Sequence, residues 1–566
     1  MSVIANLKIN IAKLLEIDST SLIYPPESHL GDLSYPCFSL AKSRGINPVE
    51  LAGELKAMVE QSDLMPIFEK VVVAGPYLNF YIKSSYIAKK VLTEIKQKGR
   101  NYGMLKAKIK AKKKVMIEYS NGNTHKEYHV GHLRNIAYGE AVKNILNTQG
   151  CQSIPVSYIN DFGIHVAKTV WNWRQNPVFE ERPENKGFLL GKCYTEASKK
   201  LSENPDLKEE VSVIMKSIEK REGADYDFWK ISRSWSIDYF DKIYRELGIR
   251  FADTFYESDV IESGLVLVQD LLAKGILQES EGAIIADLSK YDLGVLPIIR
   301  SDKTALYPVA DLALANEKFS RYDLDTSIYV VDIRQSQYFK QLFKVLELAG
   351  YKESMIHLSY DFVTLPEGMM ASRTGNVITY EDLKSKLIEK LLFETKKRHQ
   401  DWKSSKSEKI ARSLAISTIK FEMLKVGAEK IITFNIEEAA RSEGYTACYV
   451  LYGYTRIRSI MRKGGLGVFQ ISPALDLLKE DKEKELIMKM AKFAEVLELS
   501  ASKHNPAELV KYLFELVQLF NDYYHNHNIL KADRKLRIAR LALLKNLSTV
   551  LLSGFSLIGL EPLEEM

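Results

Sequence analysis

Cysteine is nearly missing: Cys37, Cys151, Cys193 and Cys448 are the only four in 566 residues, and they are scattered. No CxxC pair and no Cys/His cluster can be assembled from them, which argues against a disulfide scaffold or a zinc ribbon; reduced thiols and no zinc are expected. A long unbroken apolar run is also lacking. The greasiest segment, 541–560, is interrupted by Lys545, Asn546, Ser548, Thr549, Ser553 and Ser556, so it reads as a buried bundle helix and not a membrane span. The N-terminal stretch MSVIANLKINIAKLLE has no apolar core followed by a cleavage site. Its Ile4, Leu7, Ile11 and Leu14 fall at helical spacing, which predicts an amphipathic helix of the mature protein. There is no internal repeat and no low-complexity tract. Nor is there a large charge excess, since 79 Lys and Arg face 73 Asp and Glu, a net +6 that permits a nucleic-acid partner without requiring one.

What remains is ordinary globular material, 46% hydrophobic and 27% charged, in a chain too long for one core. The pattern divides it into 1–105, 106–404 with a charged helical insertion at about 171–250, and 405–566. The first part reads as a small α/β unit: a helix, a turn-rich middle, a helix from about Asn47, and the strand VVVAGPYLNFYI. The Lys-rich run at 106–114 reads as a solvated linker. From 115 onward a β-branched run, a polar loop, a helix with Leu133, Ala137, Ala141 and Ile145 on one face, and the strand SIPVSYI form the start of a βαβ unit. That order predicts a parallel sheet with ligands at the strand C-termini. GAIIADL and SIYVVDI are expected to resume it, and everything past about 405 reads helical.

The sharpest feature lies where the first of these strands hands over to its helix, in Glu118-Tyr119-Ser120-Asn121-Gly122-Asn123-Thr124-His125-Lys126-Glu127-Tyr128-His129-Val130-Gly131-His132. Two histidines flank a glycine at a helix N-terminus, where unpaired backbone N–H groups favour phosphate. Imidazoles there can donate to phosphoryl oxygens as their charge grows, and Gly131 leaves room for a flat base. Two histidines around a glycine are equally compatible with a surface pair or a metal pair. Tyr307 and Asp311, four apart, share a helix face if the segment is helical, and could equally be a surface hydrogen-bonded pair.

The whole stretch resembles the arginyl members of the class I aminoacyl-tRNA synthetases, whose HIGH signature follows a Glu-x-Ser-x-x-Asn segment with a Lys upstream of the first His. Glu118, Ser120, Asn123, Lys126, His129, Gly131 and His132 match it, while Asn121 stands where the family usually has Ser. Asp161-Phe162-Gly163 resembles the family's DWG, and Tyr307 to Ala313 its Tyr-x-x-x-Asp-Leu-Ala. Glu367 to Ile378 occupies the place of the KMSKS loop, with both lysine positions lost to Met369 and Ser372. The resemblance implies a Rossmann-like (HUP) α/β catalytic domain, a small N-terminal α/β domain and a C-terminal all-α anticodon-binding domain. It implies arginine–tRNA ligation with ATP and Mg²⁺, by a monomeric cytoplasmic enzyme that needs bound tRNA(Arg) for efficient adenylation. By the same resemblance the catalytic residues are His129, His132, Lys126 and Arg373, Lys126 supplying the missing loop cation. ATP would meet His129, Gly131, His132, Met370, Gly375 and Asn376. Arginine would meet Glu118, Asn121, Asn123, His129, Glu257, Tyr307, Asp311 and Gln335. A guanidinium is planar and always charged, so acids arranged for two-point contact suit it.

Segments at both ends resemble the family's tRNA-reading domains. Tyr77 and Asn79 match base-contacting positions of the N-terminal domain, where an aromatic face plus an amide can hold a splayed-out base. Tyr449, Tyr452, Tyr524 and the terminal Met566 match the anticodon-binding end. Two other readings stay open: a synthetase for another amino acid, the cysteinyl enzyme being closest in architecture, and a catalytically dead tRNA-binding relative.

Overall fold

The structure, a computed structural model, describes residues 2–105, 113–176, 185–366, 378–465 and 472–566. The N-terminal helix Val3–Leu15 forms, with Ser2 accepting from the Ala5 N–H; Ile4, Leu7 and Ile11 are buried as the spacing predicts, and Leu15 is buried where the spacing predicts Leu14. Asn47 caps the helix Pro48–Glu60 in the same way. Three antiparallel strands, β1 (Leu33–Pro36), β2 (Phe68–Ala74) and β3 (Tyr77–Ile82), lie in the order β1-β3-β2. VVVAGPYLNFYI is therefore not one strand: the chain reverses at Gly75-Pro76, and Ala74 pairs with Tyr77. A glycine followed by a residue with no N–H to give is a turn, and the hydrophobic pattern continues unbroken across it.

The middle of the chain builds a five-stranded sheet from β4 (Lys114–Glu118), β5 (Gln152–Ile159) and β6 (Asp253–Tyr256), joined later by β10 (Thr326–Asp332) and β11 (Ser354–Tyr360). All neighbours are parallel in the order β11-β10-β4-β5-β6. The strand order reverses at β4, so the crevice beyond the C-terminal ends of β4 and β10 is where such a sheet admits ligands. GAIIADL does not join this sheet. It forms the centre of a separate antiparallel sheet of β7 (Gln278–Ser280), β8 (Ala283–Asp287) and β9 (Val295–Ile299). Glu281 and Gly282, both at positive φ, make the tight turn that commits β8 to a hairpin with β7. A further short pair, β12 (Val363–Thr364) with β13 (Ile432–Thr433), ties the end of the sheet domain to the helical one.

Helices cover both faces of the parallel sheet. Val130–Thr148 packs on one, its Leu133, Ala137, Ala141 and Ile145 buried with Val115, Ile117 and Tyr119. Tyr307–Arg321 covers the other, Leu314 meeting Met116, Val156 and Phe255. The helical insertion starts directly after Gly163, with Ile164–Arg174, Lys186–Glu203, Lys208–Glu219 and Gly223–Glu246.

From Ser404–Leu424 to Arg534–Ile558 the chain is a helical bundle. Arg534–Ile558 is long and apolar enough to cross a membrane by composition, but Leu541, Leu544, Leu547, Leu551 and Phe555 are fully buried among the other helices. The bundle packs directly on Val130–Thr148, with Tyr138 donating to the His504 carbonyl (2.9 Å). The N-terminal domain rests on the same bundle through Tyr24 to Glu495 (2.7 Å) and Lys484 to Asp32 (2.7 Å).

Candidate active site

His129 caps the helix Val130–Thr148 at the C-terminal edge of the sheet. The Gly131 N–H donates to His129 Nδ1 (3.1 Å), and the His129 N–H donates to His132 Nδ1 (3.2 Å). Two of the helix's orphan donors are thus satisfied by imidazole nitrogens. The arrangement also fixes the tautomer: with each Nδ1 accepting, the neutral rings carry their proton on Nε2 and can donate outward. The rings stack 3.9 Å apart, and His132 lies 4.7 Å from the buried Tyr128 ring. Burial, and after it the Lys126 charge, push His129 down to about 4; burial, His129 and Lys126 hold His132 well below its ordinary value. Both are neutral donors at physiological pH, with a cation beside them. The Lys126 ammonium sits 5.1 Å from the Tyr194 ring. The His129 ring folds over Gly131, whose missing side chain would lie 3.0 Å from His129 Cε1.

The chain entering from the second signature is fastened to the same helix start. Val130 donates to the Ile378 carbonyl (3.3 Å), Tyr380 to the Tyr128 carbonyl (2.7 Å), and His129 pairs with Thr379. Met370, Arg373, Gly375 and Asn376 lie outside the described residues. Arg134, 1% exposed, was not expected from the sequence. Its guanidinium donates to the carbonyls of Asp361 (2.7 Å), Phe362 (3.0 Å), Gly427 (3.2 Å) and Ala428 (3.0 Å), joining the histidine helix to the junction with the helical bundle.

Beside this donor array is an acid cluster. Glu257 opens the helix Glu257–Ala273, and Asp311 lies on the second turn of Tyr307–Arg321. These two helices touch backbone to backbone, because a Cβ on Gly264 would fall 2.3 Å from the Val309 carbonyl oxygen. Asn160, at the end of β5, donates to Glu257 (3.1 Å), and the Tyr338 hydroxyl donates to Asp311. Burial pushes Glu257 up to about 7; the Asn160 bond opposes this and Asp311 adds to it. Burial likewise lifts Asp311 to about 6, against the Tyr338 bond and with Glu118 adding. Glu118, at the end of β4, pairs with the fully buried Lys318 and accepts from Asn121 (3.3 Å). Asp161 is saturated by Arg233 and by the N–H and hydroxyl of Ser258 (2.9 and 2.7 Å). The Tyr158 hydroxyl, raised first by burial, feels Asp311, Glu257, Glu118 and Asp161 in turn, so the four carboxylates lie within its electrostatic reach.

The remaining expected ligands lie on segments adjoining these acids in the chain or through Asn160. Asn123 pairs with Asn160 through the backbone, and the neighbouring Thr124 donates to the Asn160 carbonyl (3.0 Å). Tyr307 starts the helix that carries Asp311, but its ring is 71% exposed. Gln335 is exposed one turn ahead of Tyr338. Asn160, Tyr338 and Lys318 were missed by the sequence reading. Lys318 had a visible signal, lying seven residues after Asp311 and therefore on the same helix face.

Far from the crevice, Tyr77 is 37% exposed, edge-on to Phe38 (5.6 Å), whereas Asn79 is buried with its side-chain oxygen accepting from Ser34 (2.6 Å). At the other end Tyr449, Tyr452 and Tyr524 gather around one cation. Arg456 lies 4.8 and 5.2 Å from the Tyr452 and Tyr524 rings and donates to Asn521 (2.6 Å), which donates to the Tyr449 hydroxyl (2.9 Å). Met566 is partly buried against the bundle core.

Known proteins resemble this chain in each of its three parts. Residues 92–435 match the family described as tRNA synthetases class I (R), catalytic domain; residues 2–82 match the arginyl tRNA synthetase N terminal domain, and 450–566 the DALR anticodon binding domain. An arginine–tRNA ligase of Bdellovibrio bacteriovorus is 33% identical, covering 96% of this chain and 94% of its own length. One from Clostridium acetobutylicum is 32% identical over 98% of both. The solved arginyl-tRNA synthetase of Thermus thermophilus superposes with a TM-score of 0.82 at 25% identity, covering 99% of each chain. That of Plasmodium falciparum, 19% identical, shares the fold with a TM-score of 0.78 over 100% of this chain and 98% of its own. With matching domains along nearly its whole length and relatives about one-third identical, the chain belongs to the arginyl-tRNA synthetase family of class I.

Proposed function

We propose that the chain is an arginine–tRNA ligase, activating L-arginine with ATP and transferring it to the terminal adenosine of tRNA(Arg). The observation that carries this reading is that the neutral pair His129 and His132 opens the helix that follows β4, at the sheet edge that also carries Glu118 and Glu257, with Asp311 in electrostatic reach of Glu257. A guanidinium entering the crevice compensates the two buried acids, and the adjacent N–H donors are left for phosphate. An oxygen of the arginine α-carboxylate attacks the α-phosphorus of ATP, the bond to the bridging oxygen breaks, and pyrophosphate leaves. His129 and His132 donate through Nε2 to the phosphoryl oxygens, with ATP on the Gly131 backbone and Lys126 beside the leaving group. Arg373, with Met370, Gly375 and Asn376 around the nucleotide, accompanies it from the second signature. Mg²⁺ enters with ATP. Asn121, Asn123, Tyr307 and Gln335 complete the amino-acid pocket. The terminal 2′-hydroxyl of tRNA then attacks the adenylate carbonyl and AMP leaves. No protein nucleophile is required, because positioning and electrostatic stabilisation suffice.

Tyr77 and Asn79 at one end, and Tyr449, Tyr452, Tyr524 and Met566 at the other, meet the tRNA. The enzyme acts as a monomer in the cytoplasm. ATP–pyrophosphate exchange, with each amino acid in turn and with or without tRNA, tests the assignment: exchange should depend on arginine and on tRNA. His132→Ala should lower aminoacylation by at least a hundredfold while tRNA affinity stays within twofold. Exchange with another amino acid would make the chain a different synthetase, and no exchange at all a dead relative.

A further inference from the structure

The buried Lys318 has no part in the chemistry just described, yet it ends in the pocket. It lies on the helix face that carries Asp311, is 0% exposed, and places its ammonium on Glu118 Oε2 and 4.5 Å from the Tyr329 ring. Burial opposes its charge, but Glu118 first, then Tyr329 and Asp311, outweigh that, and Lys318 stays protonated. A carboxylate ion-paired in this way is an acceptor only. Its second oxygen, Oε1, takes the Asn121 side-chain N–H at 3.3 Å. That contact decides which way round the Asn121 amide sits: the nitrogen must face Glu118, so the oxygen faces away. Asn121 Oδ1 is buried and has no hydrogen-bond partner. An unpaired buried acceptor is costly, about 1–3 kcal/mol, and is retained where a ligand completes it.

We propose that Lys318 and Glu118 are positioning residues that lock the Asn121 amide with its oxygen presented to an N–H of the cationic amino acid, making Asn121 a specificity-determining contact. The inference rests on the arginine reading above and refines it in one respect: Glu118, which accepts from Lys318 on one oxygen and from Asn121 on the other, acts through Asn121. An amide offers either a donor or an acceptor and needs a fixed neighbour to choose.

The experiment is a double-mutant cycle read as steady-state exchange kinetics with saturating tRNA on the full-length enzyme. Asn121→Ala should raise the arginine KM about tenfold, the range expected for one hydrogen bond from a charged donor, with kcat within twofold. Lys318→Met should raise it to a similar extent. The double variant should be no worse than either single one, and Lys318→Arg should restore most of the affinity. If Lys318→Met does not fold, Glu118→Gln takes its place in the cycle. An unchanged KM in Asn121→Ala, or additive losses in the double variant, overturns the relay while leaving arginine activation intact. A wild-type enzyme that exchanges with no arginine overturns both the relay and the reading beneath it.

Discussion

Replacing Glu257 with glutamine should weaken arginine binding and, without substrate, strengthen the fold. The carboxyl titrates near 7 instead of 4.5, first because burial disfavours its charge and, against the Asn160 bond, because Asp311 and Asp161 stand near it. The folded state therefore binds this proton more tightly than the unfolded chain does. Between pH 4.5 and 7 stability falls as pH rises, and above 7 the whole penalty is present. The gap from 4.5 to about 7 corresponds to about 3 kcal/mol, which partial solvent contact reduces to about 2 kcal/mol. Glutamine keeps the volume, can still accept from Asn160, and carries no charge. The free variant should gain about 2 kcal/mol over wild type at pH 8 and almost nothing at pH 5. Its arginine KM should rise about 10- to 100-fold, for loss of a charge-assisted contact worth about 1.5–3 kcal/mol. Denaturant titrations at the two pH values, with exchange kinetics at pH 8, give both numbers. An acid kept for structure would lose stability at pH 8 on replacement, and that result would refute the argument. So would an unchanged KM, which would place the guanidinium elsewhere.

Gly264→Ala puts a methyl group 2.3 Å from the Val309 carbonyl oxygen and must part the helices that carry Glu257 and Asp311. It should cost about 1–3 kcal/mol of stability, and the arginine KM should rise in exchange assays with it; an unshifted melting temperature would contradict the contact. Arg456→Ala removes the cation at the centre of Tyr452, Tyr524 and Asn521. Filter binding over a range of salt should show weaker tRNA affinity and a log–log salt slope shallower by about 1, with arginine KM at saturating tRNA unaffected. Full tRNA affinity would remove this cluster from the interface.

Local signals carried much of the architecture. The 3.6-residue spacing of Leu133, Ala137, Ala141 and Ile145, Asn47 ahead of a proline, and the strand–loop–helix around His129 are written in neighbouring residues, and the structure follows them. Tyr307 and Asp311 do lie on one helix, a condition that their spacing of four assumed and did not establish. Where reading failed, a tight turn redirected a strand whose pattern did not show it. The alternating pattern of GAIIADL specifies a strand but not its partner, and only the turn at Glu281-Gly282 sends it to an antiparallel sheet. Periodicity also runs across Gly75-Pro76 without recording the reversal there.

The acid cluster divides along the same line. Which residues are acidic is a property of the chain; which partner each acid meets is settled by Lys318 on Glu118, 200 positions away, by Arg233 on Asp161 and by Tyr338 on Asp311. Arg134, too, takes its four acceptors from backbone carbonyls, which no residue type announces. Sequence sets the chemical inventory and the local dihedral preferences. Burial and pairing set charge state and orientation, because both depend on the solvent and partners that only a folded chain can remove or supply.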